Sequence, residues 1–96
     1  MPKVLIYYVK QIMWLFLFWN TDVNENRAHV HVGKKGSRKL CKVWLEPSVS
    51  LADPGDLEYA QVKEILDLTT RYRSDLMDQW RLFKQGKKVR IIKVSR

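Results

Sequence analysis

Cysteine is nearly absent. Cys41 is the only one, so no disulfide can form within the chain and a disulfide-stapled fold is excluded. That usage points to a reducing, cytoplasmic compartment. Cys41 sits inside an apolar run and is expected to act as a small buried hydrophobe. Glycine is also sparse, with four in all, and none builds a Walker phosphate loop. Zinc-finger Cys/His spacing and a nucleophile elbow are missing as well. So is a membrane-length apolar stretch. Residues 4–19 come nearest, but they fall short of the roughly 18 apolar residues that a spanning helix needs. Lys10 and Gln11 interrupt the run. Asn20-Thr21-Asp22 then follows, which is unlike the end of a signal peptide. The run reads as two buried strands, with no membrane partner. Internal repeats, linkers and low-complexity tracts are absent, and 96 residues fit one domain.

Charge of one sign is abundant. The net charge is +8, and it is unevenly spread. Residues 53–84 carry seven acids and five bases, whereas the remainder carries 13 bases and three acids. The positive charge therefore belongs to strands, turns and tail, not to the helical part. Such a surface favours nucleic acid or an acidic protein partner, although a basic balance also serves solubility alone.

The expected elements follow from periodicity. Residues 4–8 and 12–19 read as strands, the second with no polar alternation and therefore covered on both faces or used as an interface. Residues 20–26 are rich in Asn and Asp and read as a loop. Residues 28–32 form a third strand, 33–37 a glycine-bracketed hairpin, and 40–45 a fourth strand stopped by Pro47. In that fourth strand Cys41, Val43 and Leu45 share one face, and Lys42, Trp44 and Glu46 the other. Pro54-Gly55-Asp56 marks a helix start, with Asp56 or Gly55 as the cap and Glu58 in the first turn. The stripe Tyr59, Val62, Ile65, Leu66, Thr69, Tyr72, Leu76, Trp80, Phe83 places one helical face on the sheet. A break near Arg73-Ser74 would divide it into two helices, and Gly86 ends it. Residues 89–94 alternate basic and apolar side chains and fit a protected edge strand.

His29 and His31 are the only histidines. On a strand they point to one face about 7 Å apart. Three roles fit. They can be structural, bonding loop backbone and closing residues 20–26 over the sheet. They can be two ligands of a metal ion, completed by Asp22, Glu25 or Glu46. They can be an acid–base pair for phosphodiester cleavage, with Arg27 and Lys42 stabilising phosphate charge and Tyr7 or Tyr8 assisting. The structural role is preferred, and no cofactor is expected. Lys34, Lys35, Arg38, Lys39 and Lys42 make the hairpin densely positive. With Arg27 and with Lys87, Lys88, Arg90, Lys93 and Arg96 of the tail, they can line a phosphate backbone. Trp44 can stack on a base, or pack in the core or as a flat face under the helix. Trp80 is expected in the core.

Asn24-Glu25-Asn26-Arg27-Ala28-His29-Val30-His31-Val32 resembles the signature of the bacterial domain-of-unknown-function family 4160. The apolar strand before it is Trp14 to Trp19, and the return strand is Cys41-Lys42-Val43-Trp44-Leu45-Glu46-Pro47. The helix ends in Leu76-Met77-Asp78-Gln79-Trp80, matching the family's Leu-x-x-x-Trp pattern. The likeness runs from about Ile12 to the C-terminus. Family loops usually place proline just before the histidines, where this chain has Arg27-Ala28. The resemblance implies no established activity. It does imply a bacterial cytoplasmic protein, often one half of a two-gene module similar to toxin–antitoxin pairs.

The expected fold is α+β: a mostly antiparallel sheet of four or five strands with one long helix, or two short ones, on one face. The expected function is a toxin–antitoxin-like component that binds RNA or DNA, or a small cognate protein, through its basic face. The alternatives are an RNA-cleaving enzyme using His29 and His31, and a protein-only adaptor or homodimer.

Overall fold

Lys10 and Gln11 both adopt positive φ, 49° and 66°. Two consecutive left-handed residues make the tight turn whose twist suits paired strands. The turn joins β1 (Lys3–Val9) to β2 (Ile12–Leu17) as an antiparallel hairpin. In this computed structural model, which describes residues 2–95, a 3-10 turn at Asn20–Asn24 leads to β3 (His29–Lys34). β4 (Cys41–Trp44) returns beside it, and β5 (Ser50–Asp53) folds back on β4. Helices α1 (Tyr59–Arg71) and α2 (Arg73–Lys84) follow, then β6 (Ile92–Ser95).

Among the described residues the sheet has six strands, in the order β5-β4-β3-β2-β1-β6. This corrects the expectation of four or five antiparallel strands. β5 was missed because Ser50-Leu51-Ala52-Asp53 is short, largely exposed and without alternation. β6 was expected as an edge strand and is one. However, the chain reaches it by way of both helices, so it pairs parallel to β1 and makes the sheet mixed. A parallel partner needs such a long crossover.

Cross-strand partners define two faces. Leu5, Phe16, Val32 and Cys41 lie in one row, with Val30 opposite Val43. All six are fully buried, in one cluster with Ile65 and Leu68 of α1 and Leu76 and Trp80 of α2. The Tyr7 hydroxyl donates to Glu64 of α1, which fixes this as the helix side. Cys41 is buried as expected, and burial raises its thiol to about 11.

The helical stripe needs three corrections. The cap is Glu58, whose N–H donates to Gln61 Oε1, rather than Asp56 or Gly55. Asp56 Oδ2 instead accepts from the Arg38 and Lys39 amides and ties the helix approach to the β3–β4 hairpin. Tyr59, the first residue of α1, is 79% exposed, while Leu68 takes a core place. The break falls at Tyr72, within a residue of the expected position. Gly86, at φ 71°, closes α2: its N–H donates to Phe83 O, and that of Lys87 to Leu82 O. Among the described residues no helix is long and apolar enough to cross a membrane.

Candidate functional site

The other sheet face carries the chemistry. Alternation along β3 sends His29 and His31 away from Val30 and Val32. Their cross-strand neighbours are Trp44 and Lys42 on β4, and Leu17 on β2. Trp44 therefore lies beside the histidines rather than under the helices. Arg27 and Lys42 both sit over its ring, at 4.0 and 4.5 Å from the centroid. A cation over an indole face is attracted by the ring quadrupole.

The loop after β2 brings in the third member. The 3-10 turn folds Asp22 back so that Oδ2 accepts the Trp19 amide at 2.7 Å. Asp side chains favour this short-range backbone bond. Asp22 Oδ1 then lies 3.1 Å from His29 Nε2, and Oδ2 lies 3.2 Å from His31 Nε2. All three residues are buried: 5% exposed for Asp22, 1% for His29 and 6% for His31. Of the three acids considered for this place, only Asp22 arrives. Glu25 is exposed, and Glu46 Oε2 accepts the Ala28 amide instead. α2 holds the loop down, because Lys84 Nζ donates to both Val23 O and Glu25 O at 2.6 Å.

The two rings differ in their surroundings. His29 Nδ1 donates to Arg27 O at 2.9 Å, and its ring packs edge-on against His31 and Trp44 and tilted against Trp80. Trp80 is thus a core residue, as expected, that also walls the site. The Trp19 indole stacks on the His31 ring. Among the described residues His31 Nε2 finds no hydrogen-bond partner, despite its closeness to Asp22. Burial holds the His31 imidazole below its usual range, and the His29 ring and Lys42 push the same way against the opposing Asp22 charge.

His31 also lines a cavity of about 340 Å³ with Trp19, Arg38, Lys39, Leu40, Lys42 and Asp53. Three of the expected basic residues, Arg38, Lys39 and Lys42, thus meet at one place. Arg27 joins Lys42 through Trp44. Lys39 also pairs with Asp53, at 3.2 Å. Lys34 lies over Trp14, a residue of the buried helix-side core, and Lys35 is exposed in the hairpin. Lys87, Lys88 and Arg90 follow α2, and Lys93 is on β6 opposite Ile6. Four strand spacings, about 19 Å, separate β6 from β4, so hairpin and tail form two basic regions. Arg96 lies outside the described residues. Tyr7 and Tyr8 do not reach the histidines: Tyr7 belongs to the helix side, and Tyr8 pairs with Met13 across the hairpin. Sequence reasoning missed Trp19 as a site residue. The Trp19-x-x-Asp22 spacing, which lets a carboxylate cap the amide three residues back, was its available signal.

The model of the domain of unknown function DUF4160 matches residues 13–81. The chain belongs to this family. The DUF4160 match runs from β2 into α2, so it contains Trp19, Asp22, both histidines, Trp44 and Trp80. β1, β6 and the tail lysines lie outside it. Comparison with curated proteins and with solved structures found no match.

Proposed function

We propose that this DUF4160 chain is a non-enzymatic binding module whose open sheet face takes single-stranded RNA or DNA. The observation that carries the reading is Trp19. It is 41% exposed and lines a cavity with Arg38, Lys39 and Lys42. An aromatic ring among cations suits single strands, because every base has a face to stack and every nucleotide a phosphate to neutralise. Trp44, clasped by Arg27 and Lys42, extends the same face. Cleavage by the histidine pair draws no support, since the His29 ring is sealed from substrate. A bacterial cytoplasmic setting belongs to the same proposal, and the free, buried Cys41 accords with it.

The test is anisotropy of a labelled oligouridine across a salt series. Three phosphate contacts give a slope of log K against log salt of about −2. Affinity that does not fall as salt rises would count against the reading.

A second reading is a small protein partner, as in a toxin–antitoxin-like pair, or a second copy of this chain. Ile6, Tyr8 and Met13 favour it, since they line one open groove on the same sheet face. Tyr8 and Met13 are about half exposed, at 48% and 49%. Sedimentation as a monomer at high concentration would exclude the homodimer.

A further inference from the structure

We infer that Asp22, His29 and His31 form a binding site for a divalent transition-metal ion of the zinc class. One ligand atom from each, an imidazole nitrogen of either histidine and a carboxylate oxygen, lies within 4.8 Å of the others. At zinc bond lengths of about 2.0–2.1 Å, ligand atoms around one tetrahedral ion stand about 3.3 Å apart. Asp22 approaches both rings at about that spacing, Oδ1 to His29 Nε2 at 3.1 Å and Oδ2 to His31 Nε2 at 3.2 Å, so its carboxylate lies between the two imidazoles.

The hydrogen-bond inventory leads the same way. Arg27 O can only accept, so His29 Nδ1 carries its proton and a neutral ring turns the Nε2 lone pair toward Asp22. When that ring carries no second proton, two acceptors face each other, and a metal ion between them relieves the contact. A ring fixed through Nδ1 by a backbone carbonyl is the usual support of a metal-bound histidine. His31 supplies the independent sign. Its Nε2 is buried, aimed at the same carboxylate and without a hydrogen bond. A buried polar atom left so is destabilising unless something occupies it. Asp22 poses the same problem. Among the described residues no lysine or arginine pairs with this buried carboxylate. The nearby Lys84 ammonium is spent on Val23 O and Glu25 O.

Two imidazoles and one carboxylate suit zinc and its neighbours in the transition series. They do not suit magnesium or calcium, which take oxygen ligands. The set leaves a further coordination position open, and His31 borders the Trp19–Lys42 cavity. The ion neither requires nor is required by nucleic-acid binding.

The test titrates chelator-treated native protein with zinc chloride in a calorimeter and repeats it with magnesium chloride. One equivalent of zinc is expected, with a higher melting midpoint, and no magnesium. Asp22→Asn and His31→Gln, each checked for cooperative melting, should lose more than the roughly 10- to 100-fold in affinity that removing an outer partner costs. X-ray absorption at the zinc edge of the loaded native chain should read two imidazoles, and it decides the matter if the variants fail to fold. No zinc uptake, equal uptake by Asp22→Asn, or a zinc spectrum without imidazole would overturn the site.

Discussion

The Trp19 indole lies flat on the His31 imidazole, with ring centroids 4.3 Å apart and planes 7° from parallel. One indole face is thereby held in place, and the residue keeps enough exposure to receive a base on the rest of its surface. Trp19→Ala should lower oligouridine affinity by about 1–3 kcal/mol, roughly 5- to 150-fold. Trp19→Phe should keep most of the affinity, because stacking needs a π face rather than an indole. Anisotropy measures both, with melting curves to show that each variant folds. Native affinity in Trp19→Ala would remove this residue from the binding face.

Lys84 reaches from the last turn of α2 to two carbonyls of the loop that carries Asp22. Hydrogen bonds from a charged donor are among the stronger ones. Lys84→Met keeps an aliphatic side chain and removes both bonds, together with the ammonium that lies 5.8 Å from the Trp80 ring centroid. A loss of about 1–2 kcal/mol is expected, read as a lower urea midpoint. Amide exchange should quicken at Trp19 and Asp22, with the β1–β2 hairpin unaffected. A uniform change across the sheet would mean that Lys84 acts on global stability and not on the loop.

Acid should loosen the join between hairpin and helix first. Backbone amides hold two carboxylates below their usual range: the Gly55 N–H on Asp53, aided by Lys39, and the Arg38 N–H on Asp56. A carboxylate depressed in the folded state stabilises the fold above its unfolded value of about 3.9. That contribution is lost as pH falls through the lower folded value. Urea midpoints should therefore drop below about pH 4, and Asp56→Asn should shallow the drop. An unchanged acid limb in Asp56→Asn would show that these bonds do not set it.

Much of this arrangement was legible in the sequence. Alternation placed Cys41, Val43 and Leu45 on one face and Lys42 and Trp44 on the other, and the helical stripe found Ile65, Leu76 and Trp80. The two histidines and their shared face could be named from spacing, and Asp22 only as one of three acids able to join them. What escaped was long-range. Nothing local in Ser50-Leu51-Ala52-Asp53 announces a strand, because its pairing with β4 comes from the tertiary fold. Nothing local in residues 92–95 says which edge they will join or in which direction. The separation of the tail lysines from the hairpin follows from that strand order alone. Asp56 was misjudged because a cap and a tertiary amide clamp use the same carboxylate, and only the neighbouring hairpin distinguishes them.

The β1–β2 turn offers a stabilising substitution. Lys10 and Gln11 both hold left-handed backbone, which side chains with a Cβ disfavour by about 1–2 kcal/mol each. Asn-Gly fits that turn with little strain. Both residues are outward-facing, so little packing is lost by replacing them. Lys10→Asn with Gln11→Gly should raise stability by about 1 kcal/mol, seen as a higher urea midpoint at an unchanged slope. The gain should also appear as slower amide exchange at Val9 and Ile12, which pair directly behind the turn. The zinc affinity of the Asp22 site, some distance along β2, should not move. A lower midpoint would mean that the native pair makes contacts beyond its backbone conformation, with Lys10 beside Glu64 and Asp67 as the place to look.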